Sequence, residues 1–412
     1  MRISTSQVFT KGIDTIVDVN SQLQKTQQQV SSGKKILNPS DDPVASTRIL
    51  ELRQELNLNT QYQRNIELAE NNLKLEDDLL GSISEVVQRV RELTINAGDG
   101  SLNPQDLKFI AKEIEERLEQ LAGMMNSKDS SGEYVFGGFQ GTNQPFVKNV
   151  SGSYEYKGDE GRRYVQIEAS VNIAATENGK AIFMDIPSAD KTFTTRVNPN
   201  NQADPPATIT TGQIYDQEAY DAFYPNDMVI EFNPDASVVP PQPNYSVRDA
   251  ASGRVLLNNQ LYSTGDPIVV EGVQFEIVGA PVPGDTFFVD STEKQGILTT
   301  TEKLLYGLTH FNATPEGRAA FDDILSNTLK NLDSAETSLL NARSSIGARL
   351  NTVDTTREQH LDVEVLTKEI LSELEELDYS EAITQLSFQQ FTLQAAYSTF
   401  SQVSSLSLFD RL

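Results

Sequence analysis

Apolar residues recur every seven positions at both ends of the chain. Phe9, Ile16, Leu23 and Val30 keep this spacing through a stretch with no proline and one glycine, Gly12. Leu386, Leu393 and Phe400 repeat it near the other end, with Ala382, Ala396 and Val403 on the neighbouring row. Side chains seven apart share one helix face, so each end predicts a helix carrying a single apolar stripe. The first of these helices is predicted to run from Ser4 to Ser32. It should stop at Gly33, because glycine adopts a left-handed C-terminal cap at least cost.

The segment ILNPSDDPVAS (36–46) reads as a turn. Asp42 supplies a carboxylate for the free amides of a new helix, and Pro43 suits its first position. Beyond it Leu52, Asn59, Ile66, Leu73, Leu80 and Val87 hold a seven-residue row as far as about Asn96. A helix of that length spans roughly 80 Å, which predicts a rod rather than a compact globule. AGDGSL (97–102) breaks it, and Asn103-Pro104 starts a third helix with Leu107, Ile110, Ile114, Leu118 and Leu121 at helical spacing. Helix returns near Lys294, is interrupted at Thr314-Pro315, and meets no further proline. Leu339, Ile346 and Val353, then Ile370, Leu374 and Leu377, supply its inner face, with His360 continuing the row. Asp378, followed three residues later by Glu381, is another start signal, so a separate C-terminal helix of about thirty residues is expected.

Between residues 132 and 291 the seven-residue pattern disappears. Thirteen of the seventeen prolines lie from Pro145 to Pro283. GEYVFGGFQGTNQPFV (132–147) predicts a short aromatic strand, a glycine turn and a second strand. YVQIEASVNIA (164–174), MVIEF (228–232), PIVVEGVQFEIVG (267–279) and TFFVD (286–290) also read as strands. The expected fold is α+β: a long antiparallel helical rod formed by both chain ends, with an inserted β-rich module at the far pole. Its expected parts are a terminal helix pair (1–42 and 378–412), a helical core (43–131 and 292–377) and the β-rich insert (132–291).

Composition narrows the function. A formal charge of -26, with no basic run longer than Lys34-Lys35, argues against nucleic acid, whose phosphates require clustered cations. The absence of cysteine removes disulfides and thiolate chemistry. Two histidines, His310 and His360, fifty positions apart, exclude an HExxH zinc site. Residues 1–20 lack the pattern of a cleaved signal, and no window approaches the ~18 apolar residues of a membrane span. The chain is therefore expected to stay in the cytosol or to be exported by a route that reads an uncleaved N-terminus. Ser32 and Lys35 match SxxK without partner motifs. Asp41-Asp42 is better explained by capping than by a divalent ion. Polar residues, among them Asn20, Gln27 and Gln389, interrupt or flank the terminal stripes, so the pair is expected to be marginal alone and to order by packing on copies or partners. An amphipathic bundle satisfied within the monomer is the competing expectation.

Several stretches resemble the bacterial flagellin superfamily. QQVSSGKKILNPSDDPVAS (28–46) is similar to the signature that follows that family's first helix, with Lys35 in place of the usual arginine, and AGDGSLNPQDLKFIAKEIEERLEQL (97–121) resembles its helical core. Within the superfamily the chain looks most like the hook-associated protein 3, or hook-filament junction, family. EYVFGGFQGTNQPF (133–146) with Tyr156-Lys157-Gly158-Asp159, GDPIVVEGVQFEIVGAPVPGDTFFV (265–289) and the ending AITQLSFQQFTLQAAYSTFSQVSSLSLFDRL (382–412) carry that likeness. Residues 187–262 match nothing in it.

The resemblance implies structural work rather than catalysis, and no cofactor. It implies secretion through the flagellar type III apparatus and a place in the bacterial flagellum at the hook-filament junction. There the chain would form a ring-like or helical layer on hook-associated protein 1, with flagellin polymerising above. The amphipathic C-terminal segment is also a plausible target for an export chaperone. On this reading the site is an assembly interface: Phe9, Ile16, Leu23 and Val30 with Leu386, Leu393, Phe400 and Val403, framed by Gly33, Asp42, Pro43 and Asp378. A filament-forming flagellin and a surface adhesin are the alternatives.

Overall fold

The computed structural model describes residues 5–149, 152–311 and 314–409. Helix α1 (Thr5–Ser32) ends at Gly33, which takes φ +70° and donates its N–H to Gln29 O at 2.8 Å. Helix α2 (Pro43–Ala97) opens on Asp42, whose Oδ1 accepts the amides of Val44 and Ala45. Helix α3 (Pro104–Met125) starts from Asn103. Its Oδ1 accepts the amides of Gln105 and Asp106, while the Asp106 carboxylate accepts the Asn103 N–H. These reciprocal bonds satisfy donors that a helix start leaves free.

Two small hairpins follow, β1 (Phe146–Lys148) with β2 (Tyr154–Tyr156), and β3 (Tyr164–Gln166) with β4 (Asn172–Ala174). Next come β5 (Pro187–Val197), β6 (Thr208–Ile209), β7 (Gln213–Ile214), the short helix α4 (Gln217–Phe223), β8 (Met228–Asn233), β9 (Asn244–Asp249), β10 (Val255–Leu261), β11 (Pro267–Val270), β12 (Val273–Val278) and β13 (Thr286–Lys294). A five-stranded antiparallel sheet has the order β10-β9-β8-β13-β5, and β12 joins β11, β6 and β7 in a second. The chain then returns to helix in α5 (Ile297–Thr309), α6 (Pro315–Glu375) and α7 (Tyr379–Phe409).

The chain divides into two compact units, one made by its ends up to Arg64 and from Thr355, the other by Asn65–Asp354. In the second unit Ile66, Leu73, Leu80 and Val87 of α2 are buried, as are Leu339, Ile346 and Val353 of α6. The Asp77–Arg343 ion pair and the Ser84–Glu336 hydrogen bond fix these helices antiparallel. Helix α5 is covered on every side: Ile297, Leu298, Leu304 and Leu308 are buried, and so are Glu302 and Lys303. The β-rich part has its own core of Phe193, Tyr220, Ile230, Val247, Phe275 and Phe287.

Three strand expectations change. YVQIEASVNIA is a hairpin of two three-residue strands rather than one run, because Glu168 to Val171 form the turn between them. Tyr134 to Phe139 do not form a strand. Asp159 accepts the amides of Phe139, Gln140 and Gly161 and holds the glycine segment as a looped turn, leaving Phe139 70% exposed while Phe136 is buried. PIVVEGVQFEIVG is a tight hairpin, β11 to β12, turning at Glu271-Gly272, both with positive φ.

Candidate assembly interface

Two contacts set the register of α1 against α7. A Cβ added at Gly12 would meet the Phe400 ring at 3.3 Å, and one at Gly33 would meet the Tyr379 hydroxyl at 3.0 Å. Gly33 follows Gly12 by 21 residues and Phe400 follows Tyr379 by 21, so the helices run antiparallel in constant register. This places Ile16, Leu23 and Val30 opposite Ala396, Gln389 and Ala382. It places Gly12, Val19 and Thr26 opposite Phe400, Leu393 and Leu386. In every pair but Val19–Leu393 a large side chain on one helix thus meets a small or polar one on the other, which lets two ridges interlock. Phe9 and Val403 sit at matching positions, but their side chains lie outside the described residues.

Burial in this pair is incomplete. Leu23, Thr26, Ala382 and Gln389 are buried, whereas Ile16, Val30, Leu386, Leu393 and Phe400 are only half-buried. Gln389 Oε1 is buried with no hydrogen-bond partner among the described residues. Two helices in contact cover only the facing stripe of each, and the rest of their apolar surface stays outside.

Helix α7 departs from the single stripe read from its spacing. Phe388 and Phe391 point away from α1 at 69% and 70% exposure, with Ile383 and Tyr397 each 53% exposed. No charged residue occurs from Ala382 to Phe409. A helix that is apolar on opposite faces and uncharged belongs in an interior, not in water. That run without charge was the available signal; the regular heptad drew attention to one face instead.

The pair is anchored where α1 ends and α7 begins. Leu377 N donates to Gly33 O at 3.0 Å, and Lys35 N donates to Glu375 O at 2.8 Å, stitching the two connectors together. Asp378 Oδ1 accepts the amides of Ser380 and Glu381 and caps α7. Asp41, which the sequence reading left without a role beyond its pairing with Asp42, organises the turn before α2. Its Oδ2 accepts the amides of Leu37 and Asn38, and its Oδ1 accepts Lys25 Nζ at 2.7 Å. The bond from Lys25 and the amide of Asn38 hold its carboxyl below the usual range. Further along the same unit Asn59 Nδ2 donates to His360 O, Gln63 bridges Asn59 and Glu364, and His360 stacks on Tyr62. His360 is thereby a seam residue.

This arrangement offers surfaces for packing rather than groups for chemistry. Among the described residues no cluster of three or more His, Cys, Asp or Glu is placed to hold a metal, and no helix is long and apolar enough to cross a membrane.

Residues 3–141 match the family model of the bacterial flagellin N-terminal helical region, and residues 329–411 match that of the C-terminal helical region. The chain belongs to the bacterial flagellin family. The flagellar hook-associated protein 3 of Salmonella typhimurium is 30% identical over 188 residues, covering 46% of this chain and 58% of that protein. The chain thus spans somewhat over half the length of this curated relative. The crystal structure of flagellar hook-associated protein 3 from Legionella pneumophila is similar with a TM-score of 0.53 and 28% identity, over 79% of this chain and 98% of the other. FlgL of Xanthomonas campestris is similar with a TM-score of 0.52 and 26% identity, over 78% and 99%. Both terminal helices fall within the matched family regions, whereas β5 to β13 lie outside them.

Proposed function

We propose that this chain is a hook-filament junction protein of the bacterial flagellum: a secreted structural subunit that forms a layer between hook-associated protein 1 and the flagellin filament. The observation that carries this reading is α7, an uncharged helix with apolar side chains on opposite faces, of which α1 covers only one. In an assembly the outward face is covered by other subunits. Contacts that differ below and above the layer are of the heterologous kind that builds rings and helical stacks. Ile16, Leu23 and Val30 with Leu386, Leu393 and Phe400 hold the two terminal helices together, Phe9 and Val403 continue these rows in the sequence, and Gly33, Asp42, Pro43 and Asp378 set where the helices begin and end. An export chaperone would recognise the same uncharged C-terminal segment before assembly. Likeness to hook-associated protein 3 in both sequence and fold favours the junction over the filament.

The test is complementation of a flagellated cell that lacks its own junction protein. The full chain should restore filaments, a chain lacking residues 379–412 should not, and the purified protein alone should give no long filaments by electron microscopy. Long filaments from the purified chain would make it a flagellin instead.

A further inference from the structure

A groove of about 460 Å³ opens in the unit made by the chain ends, between the connector 34–39, the start of α2 and the last residue of α6. Ile36, Leu37, Ile49 and Leu50 give it apolar walls, and Lys34 and the Arg53–Glu375 ion pair give it polar ones. Leu50 is 68% exposed there.

The same unit carries a stripe of matching character. Glu358, Asp362, Val365, Leu366, Glu369 and Glu373 follow one another at helical spacing along α6, and all six are exposed. Val365 and Leu366, at 66% and 57% exposure, form an apolar island between carboxylates. None of these four carboxylates is in an ion pair among the described residues, whereas Glu364 and Glu375 of the same helix are held by Lys368 and Arg53. The chain has two pairs of adjacent basic residues. Arg162 and Arg163 are engaged by Glu177, Asp129 and Glu133. Lys34 and Lys35, beside the groove, are exposed and make no ion pair among the described residues.

We propose that the groove of one copy receives Val365 and Leu366 of a second copy, with Lys34 and Lys35 set against Asp362 and Glu369, which flank that apolar pair. The proposal rests on the reading of the chain as a subunit of a layer and names one contact within it. The stripe cannot fill its own groove. Glu375 of the same helix is part of the wall, and Leu366 lies nine residues, about 14 Å, away from it along the helix axis. The outward face of α7 is a poorer occupant, because a helix with no charge from Ala382 to Phe409 offers nothing to two unpaired lysines. Copies with a formal charge of -26 repel one another, so a local basic pair facing an acidic stripe supplies the attraction and fixes the register at once. Groove and stripe are different surfaces, so the contact is heterologous and passes from each copy to the next.

The chain has no cysteine, so introduced thiols report this contact alone. Leu50→Cys and Leu366→Cys, on differently tagged copies, are produced together in a flagellated cell lacking its own junction protein and treated with a short thiol crosslinker. The expected product is a mixed dimer with one copy of each, absent when either variant is produced alone. Filaments without the mixed dimer overturn the contact and leave the junction reading standing, as does a dimer that forms equally well from one variant. Failure of the wild-type chain to restore filaments overturns the junction reading and this contact with it. Lys34→Glu with Lys35→Glu should cut the mixed dimer and the fraction of cells with filaments by about tenfold or more, since like charges then face each other. Adding Asp362→Lys and Glu369→Lys to the same chain should restore both. Undiminished crosslinking with the reversed lysines, or no recovery when both sides are reversed, overturns the pairing of charges.

Discussion

Gly12 of α1 and the ring of Phe400 of α7 lie in contact, with room for a methyl group only at 3.3 Å. The relationship separates two forces that usually act together. Leucine is a better helix former than glycine by up to ~1 kcal/mol, so Gly12→Leu strengthens α1 as an isolated helix. Against α7 the same side chain overpacks, at a typical cost of ~1–3 kcal/mol. The expected outcome is unchanged or higher helicity in α1 together with faster amide exchange in α7 between residues 382 and 402. Each ~1.4 kcal/mol lost corresponds to about a tenfold change. Unchanged exchange in α7 would mean that the Gly12–Phe400 contact does not hold the pair.

The helical part of the fold was legible in the sequence because its signals are local and periodic. Leu52, Asn59, Ile66, Leu73, Leu80 and Val87 are all buried, as a seven-residue row requires. Asp42, Asn103 and Asp378 sit at helix starts because a side-chain acceptor there meets free amides whatever the tertiary context. The β-rich part was read less well. β5, PSADKTFTTRV, and β9, NYSVRD, lack the apolar alternation of a half-buried strand. In β9 the polar Asn244, Ser246 and Asp249 are buried, and their acceptors and donors are met by partners distant in sequence or across turns, such as Asn233 and Pro234. The outer face of α7 was missed for a different reason: heptad spacing reports the stripe that meets one partner and is silent about Phe388 and Phe391.

Glu76 of α2 gives a stability change with a definite sign. It is fully buried, its Oε1 accepts the Glu177 N–H, and its Oε2 has no partner among the described residues. Burial pushes its carboxyl up to about 8, against the opposing pull of Arg349, Arg163 and Arg162. Arg349 and Arg162 form their ion pairs with Glu177 rather than with Glu76. Between the unfolded value of 4.5 and about 8 the folded chain holds a proton that the unfolded chain has released. Stability therefore falls as pH rises through that window and levels off above it. Glu76→Gln keeps an acceptor for the Glu177 amide and removes the titration. Thermal unfolding from pH 5 to pH 8 should show the wild type losing stability relative to Glu76→Gln, by on the order of a few kcal/mol at the upper end. Parallel pH profiles for the two proteins would count against a protonated Glu76.

Phe388 and Phe391 distinguish a helix pair that is finished within one chain from a pair completed by others. They are neighbours on the side of α7 turned away from α1, and each is more than two-thirds exposed. Within the monomer their replacement by serine removes little burial, and such surface changes usually stay within about 0.5 kcal/mol. Leu393→Ser instead strikes the face opposite Val19 and should loosen α7 in the isolated protein. Phe388→Ser with Phe391→Ser is expected to leave the melting temperature and far-UV spectrum of the purified chain unchanged while abolishing filament growth in the complementation assay. Normal swimming by cells carrying the double variant would show that the exposed aromatics are incidental. The assembly surface would then have to lie elsewhere than on α7.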